Sequence, residues 1–194
     1  MEALLLIASL MLNKSNQVEF NSLLTEFNES QNIKSFYHSA NVKKYTQHLD
    51  LDFWGDEDEL TNAQLLYAFS VEKKAAQFID WKGEHEENQL KSLITNQLKE
   101  KNIHDFDWKF LKEFDKRVDL GELEQGDYII KKLIIVDKHL QKRGFRLAFF
   151  NPGEIWDGYI PFIVSEKQYD VVKTIRCDEH GNECTSLSNI DDDF

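Results

Sequence analysis

A chain of 194 residues, 41% of them hydrophobic and 30% charged, can form one ordinary domain or two small ones, and its 2 Pro and 8 Gly exclude collagen-like and low-complexity classes. Its 14 Phe and 12% aromatic content supply a packed core, which excludes disorder throughout. With 35 acidic against 23 basic residues the net charge is -12, so phosphate backbones and anionic lipid surfaces repel the chain, and neither nucleic acid nor a membrane is an expected partner.

The first twelve residues are apolar, from Ala3 through Leu4, Leu5, Leu6 and Ile7 to Leu12. Glu2 stands where a signal peptide carries positive charge, and Asn13-Lys14-Ser15-Asn16 follows in place of a small-residue cleavage site. The run also falls short of the about 20 apolar residues that span a membrane. It predicts a buried core helix, with an atypical signal or an oligomerisation helix as the other readings. Phe20, Leu23, Leu24 and Phe27 then form one helical stripe, and Asn16 with Glu19 resembles a capping pair at its start.

Asp50-Leu51-Asp52-Phe53-Trp54-Gly55-Asp56-Glu57-Asp58-Glu59 partly imitates a calcium loop, with Asp50 and Asp52 at positions 1 and 3 and Gly55 at position 6. Trp54 at position 5 offers no side-chain oxygen, and Thr61 stands at position 12 where a bidentate Glu is needed. No calcium is expected. The segment reads as a solvated acidic loop, its acids complementing the positive end of the next helix. It also reads as a partner-binding loop, in which Trp54 is an interface anchor and Asp52, Asp56, Glu57 and Asp58 select a basic protein.

Thr61 and Gln64 form a better capping pair, ahead of Leu65, Leu66 and Phe69. Gln77 to Trp81 predicts a short strand ended by Gly83. Within Phe78-Ile79-Asp80-Trp81-Lys82-Gly83-Glu84-His85, a carboxylate beside an imidazole suits acid–base work, but no nucleophile or oxyanion hole stands at a diagnostic spacing. Leu90, Leu93, Ile94 and Leu98 form a further helical stripe, and Phe106, Phe110, Leu111 and Phe114 another. Ile129, Leu133, Val136 and Leu140 are helically spaced too, although the largely β-branched run Leu133 to Val136 also suits a strand.

The pattern changes at Gly144. Phe145, Leu147 and Phe149 alternate with period two, Asn151-Pro152-Gly153 marks a turn, and Tyr159 to Val164 reads as a second strand. Pro161 lacks an N–H and argues for a sheet edge or a bulge. Glu154 to Tyr159 reads as the hairpin loop, with Trp156 and Tyr159 either lining a binding surface or capping the core. Ser165 and Gln168 cap a last helix carrying Tyr169, Val172 and Ile175. Helices followed by a small antiparallel sheet with a packed helix make the fold class α+β. Residues 1–176 read as a single domain and 177–194 as a polar tail.

The tail holds both cysteines, in Cys177-x2-His180-x3-Cys184. A structural zinc site needs four ligands and this spacing supplies three, so no metal and no cofactor is expected. Two cysteines are no disulfide framework, and with the missing signal they point to a reducing cytoplasm. Replacing both with Ser is expected to leave the melting temperature nearly unchanged. A drop of several degrees, or stoichiometric zinc by elemental analysis, would show a structural site there.

Two stretches carry a family resemblance. One runs from the helix Leu65–Phe78 through Ile79-Asp80-Trp81-Lys82-Gly83-Glu84 to Leu90, Leu93 and Leu98; the other joins Gly144-Phe145-Arg146-Leu147-Ala148-Phe149 with Trp156-Asp157-Gly158-Tyr159-Ile160-Pro161-Phe162-Ile163-Val164. Together they resemble an uncharacterised bacterial family known only as a domain of unknown function. The resemblance implies a soluble bacterial protein and brings no activity and no catalytic residue with it.

Two functional classes follow. The first is a non-catalytic module binding a basic protein, an immunity or antitoxin-type inhibitor being one form. It rests on the net charge, the acidic loop around Trp54 and the absence of a catalytic signature. The second is a small-molecule hydrolase or transferase with Asp80, His85 and Asp157 brought together by the fold. A nucleic-acid mimic ranks last, because only Asp50 to Glu59 is dense enough in acids to imitate phosphates.

Overall fold

The apolar start of the chain forms helix α1 (Glu2–Met11), which buries Leu4, Ile7, Ala8 and Met11 at i, i+3, i+4 and i+7. This is the expected core helix, although Leu5 and Leu6 stay exposed. The computed structural model describes residues 2–49, 60–117, 126–152, 158–172 and 185–186. The chain divides into two compact units. Among the described residues one comprises 2–49, 60–77 and 151–152, the other 78–117, 126–150, 158–172 and 185–186. Among the described residues there are nine helices and five short strands, and the fold is α+β.

In the first unit, α2 (Lys14–Glu29) buries Phe20, Leu23, Leu24 and Phe27, the stripe read from the sequence. Its cap differs from the expected Asn16–Glu19 pair. Asn13 is the N-cap, and its side chain accepts from the Asn16 N–H at 3.0 Å. Two short helices follow, α3 (Ile33–Tyr37), capped by Asn32, and α4 (Lys43–Thr46). Four or five residues complete barely a turn, so no periodicity announces them. Helix α5 (Asn62–Glu72) opens with the expected capping box: Gln64 N–H donates to Thr61 Oγ1, and Thr61 N–H donates to Gln64 Oε1. Every residue from Ala63 to Ser70 is buried, so α5 is the central element. Its Phe69 ring lies 5.4 Å from Phe20 and 5.0 Å from Tyr45, and each such ring contributes about 1.5–3 kcal/mol by leaving water. The helix ends with Lys74 in the left-handed region at φ 58°. Lys74→Gly is expected to raise stability by about 0.5–1 kcal/mol, read as a shift of the urea midpoint.

Glu19 is a hub on α2 rather than a cap. It accepts from Lys73 at 2.6 Å and from the Tyr45 hydroxyl at 2.5 Å, with Lys44 at 3.5 Å. These hydrogen bonds, that from Lys73 foremost, hold its carboxyl at about 2. A lowered carboxyl stabilises the fold above its ordinary value and loses that contribution as pH falls through the lowered one. Glu19→Gln should therefore flatten the pH dependence of the urea midpoint between pH 4.5 and about 2. The change is small, because the side chain is 41% exposed and water screens it.

The second unit contains β1 (Ile79–Asp80), α6 (Gln89–Glu100), α7 (Lys109–Arg117), α8 (Asp127–Gln141), β2 (Phe145–Phe149), β3 (Gly158–Tyr159), β4 (Pro161–Ser165), α9 (Glu166–Val172) and β5 (Thr185–Ser186). Leu133 to Val136 lies in α8, whose Ile129, Leu133, Val136 and Leu140 turn one stripe to the core. That stripe packs with Leu90, Ile94 and Leu98 of α6 and with Leu147, Phe149 and Ile163 of the sheet. The helix ends at Gln141, the chain turns through Gly144 at φ 77°, and the extended strand begins at the next residue.

The expected strand Tyr159 to Val164 is split. Gly158–Tyr159 pairs antiparallel with β1, whereas Pro161–Ser165 pairs antiparallel with β2, Leu147 standing opposite Ile163. The sheet order is β4-β2-β5, so Pro161 does begin an edge strand. Gln97 of α6 covers that edge, its amide donating to Pro161 O at 3.2 Å and accepting from Ile163 N–H at 3.0 Å. Ser165 and Gln168 make the expected cap of α9 through Gln168 Oε1. Thr185–Ser186 forms a strand on β2 within the stretch read as a polar tail.

Gly158 is tightly enclosed. A Cβ there would stand 2.4 Å from Ile79 O and 2.5 Å from the Phe78 ring. Gly158→Ala should cost about 1–3 kcal/mol by forcing β1 and β3 apart, measured by urea unfolding.

Candidate functional site

Asp80 closes β1 and makes a turn, its Oδ1 accepting from Lys82 N–H at 2.7 Å. The turn carries the chain round Gly83 to His85, whose Nε2 lies 3.8 Å from Asp80 Oδ2. Two members of the sequence-predicted trio are therefore neighbours, while Asp157 lies outside the described residues. The His85 side chain is 64% exposed. A pair this open to water holds no substrate by itself.

Between them sits Glu84, which sequence reasoning passed over. Its Oε1 accepts from Leu90 N–H at 2.6 Å at the start of α6, and its Oε2 pairs with the Lys132 ammonium of α8. Lys132 is 5% exposed. Its ammonium also lies 3.5 Å from the Tyr128 hydroxyl, which donates to Asp115 at 2.7 Å. Burial alone pushes the Lys132 amine down, but the hydrogen bond and charge of Glu84 more than offset it and hold the amine above the ordinary lysine value. A nucleophilic or Schiff-base lysine needs a lowered value. Lys132 keeps its proton at neutral pH, and this network ties α6 to α8.

The predicted partner loop bears Asp52, Trp54, Asp56, Glu57 and Asp58, all outside the described residues. Both of its anchors are visible in the first unit. Leu49, 6% exposed, precedes it, and Leu60, 8% exposed, follows it directly before the Thr61 capping box. Beside Leu49, His48 Nε2 lies 2.8 Å from Glu72 Oε2 at the far end of α5, and that bond lowers the Glu72 carboxyl.

A further feature emerged only from the folded structure. Helix α8 has a second apolar stripe, Ile130, Ile134 and Ile135, all half-buried. With Phe114 of α7 they line a cleft of about 390 Å³, bordered by Asp127, Lys131 and Lys138. The Phe110 and His139 rings, stacked at 3.7 Å, lie on the same two helices.

Tyr159 packs at 5.7 Å on Phe149 and joins the core cluster, so it caps the core. Its neighbour in that reading, Trp156, lies outside the described residues, as do Cys177, His180 and Cys184. No group of three His, Cys, Asp or Glu among the described residues is placed to hold a metal. No helix among them is long and apolar enough to cross a membrane.

The family model described as Domain of unknown function (DUF6630) matches residues 17–181, a span that contains both stretches carrying the sequence resemblance. No curated protein and no solved structure matches the chain.

Proposed function

We propose that this chain, which belongs to the DUF6630 family of unknown function, is a non-catalytic protein-binding module of a bacterial cytoplasm whose acidic segments engage a basic partner, an inhibitor of the immunity or antitoxin type being one concrete form. The observation that carries this reading is where the charge resides. Asp50–Glu59 and Cys177–Phe194 hold six acidic residues each and no Lys or Arg, which accounts for the whole net charge of -12. An evenly acidic surface serves solubility; concentrated acids raise the local field and steer an oppositely charged partner. The first segment also contains Trp54, the residue type that dominates binding energy once buried. Its two ends are held by buried Leu49 and Leu60, which limits the freedom lost on binding.

The test is capture from the host lysate by the full chain at low and high salt, beside a variant carrying Trp54→Ala, Asp56→Asn, Glu57→Gln and Asp58→Asn. The expected result is a basic protein retained at low salt, released at high salt and lost with the variant. Equal retention by the variant, or no salt-sensitive partner, overturns the reading. The hydrolase or transferase reading has one observation in its favour, the approach of His85 to Asp80. Metabolite turnover abolished by both His85→Ala and Asp80→Asn would move the assignment to it.

A further inference from the structure

Helix α8 is apolar on two sides. Ile129, Leu133, Val136 and Leu140 face the core, and Ile130, Ile134 and Ile135 line the cleft. A helix serving one core needs a single apolar stripe; here all three isoleucines are half-buried, Ile134 packed against the core cluster, and the apolar side they leave open at the cleft marks a surface that a partner can cover.

The order of residues along the cleft indicates what covers it. Its α8 positions are 127, 130, 131, 134, 135 and 138. The intervals are three, one, three, one and three, the same in either direction. Laid antiparallel against its own copy about a twofold axis, this face sets Asp127 opposite Lys138 at each end and Ile130 opposite Ile135 on each side of the centre. Lys131 falls opposite Ile134, where its aliphatic stem covers the isoleucine while its ammonium, 3.7 Å from Asp127 Oδ2, stays at the rim. A twofold interface requires such self-complementarity.

We propose that the cleft on α8 is a homodimer interface, occupied by the α8 helix of a second copy in antiparallel register with Asp127–Lys138 pairs at both ends. The proposal uses other residues than the acidic segments, and its outcome leaves the partner-binding reading untouched. The face spans roughly 16 Å of helix at 1.5 Å per residue. On a helix about 10 Å across, that strip offers on the order of 160 Å², well under the about 800 Å² per partner of a standard interface. The dimer is therefore concentration-dependent.

Sedimentation equilibrium of the full chain from about 10 to about 500 µM tests this. The average mass should rise from 22.8 kDa towards twice that value. Lys138→Glu sets like charges together and should weaken association about tenfold, as should Asp127→Lys; the two combined restore the pairs reversed and should return it to within about threefold of the parent. Lys138 is exposed, and circular dichroism confirms that each variant folds. A mass fixed at 22.8 kDa overturns the proposal. So does a dimer that ignores Lys138→Glu, or one that the double substitution fails to restore.

Discussion

Asp137→Ala is expected to destabilise the second unit by about 3–5 kcal/mol, because it strands the buried Leu147 N–H together with the largely buried guanidinium of Arg146. The Asp137 carboxylate is 4% exposed and ties three places in the chain together. Arg146 reaches it with Nε at 3.0 Å and Nη2 at 2.9 Å, Gln141 Nε2 donates at 2.7 Å, and the Leu147 N–H donates at 2.7 Å. The Arg146 guanidinium in turn lies 3.9 Å over the Tyr169 ring, so one carboxylate links α8, β2 and α9. Removing it leaves the Leu147 N–H without that acceptor in a sheet whose Leu147 is fully buried. Urea unfolding followed by tryptophan fluorescence measures the loss. Asp137→Leu combined with Arg146→Met removes both charges at once and should recover much of it. A single variant within about 1 kcal/mol of the parent would show that the hub contributes little.

Lys132→Met should cost a similar amount, about 3–5 kcal/mol, since it leaves the Glu84 carboxylate buried without its cation. Glu84 is 10% and Lys132 6% exposed at the side chain, so water screens neither. Combining Lys132→Met with Glu84→Gln should restore most of the stability, because the neutral amide introduced by the second substitution can still accept from the Leu90 N–H. The sign of the pH effect follows from the raised lysine value. The pair contributes fully below the ordinary 10.5 and is lost only as pH climbs through the raised value. Stability should thus show no step from this pair between about pH 6 and pH 9. Amine-directed labelling near pH 8, read by mass spectrometry, should spare Lys132 in the folded chain and modify it in urea. Rapid labelling of the folded chain would reveal a reactive amine and reopen the enzymatic reading.

The helices show how far a sequence can be read. The stripes of α2, α6 and α8 are visible because a buried helical face repeats every 3.6 residues, and the Thr61–Gln64 and Ser165–Gln168 caps because their partners lie three residues apart. The Asn16–Glu19 cap failed where a tertiary interaction competed: Glu19 pairs with Lys73 from the end of α5, and Asn13 takes the capping position. The strand from Tyr159 to Val164 was seen as continuous because both halves are apolar. Its division at Ile160 reflects two partners, Ile79 for Tyr159 and Leu147 for Ile163. Asp80 and His85 were legible as a pair because only a turn separates them. Glu84 and Lys132 were not, standing 48 residues apart.

The sequence by itself determined the α+β class, the core stripes, the two local caps and the two acidic segments, since periodicity, side-chain capping and charge count depend only on near neighbours along the chain. Tertiary structure alone decided that Lys132 would be buried against Glu84, that Asp137 would serve Arg146 and Leu147, and that three isoleucines of α8 would face a cleft. The reason is physical. One α8 sequence offers apolar residues to two sides, and only the packing of α6 and the sheet against Leu133 and Val136 selects which side becomes core and which is left to line the surface cleft.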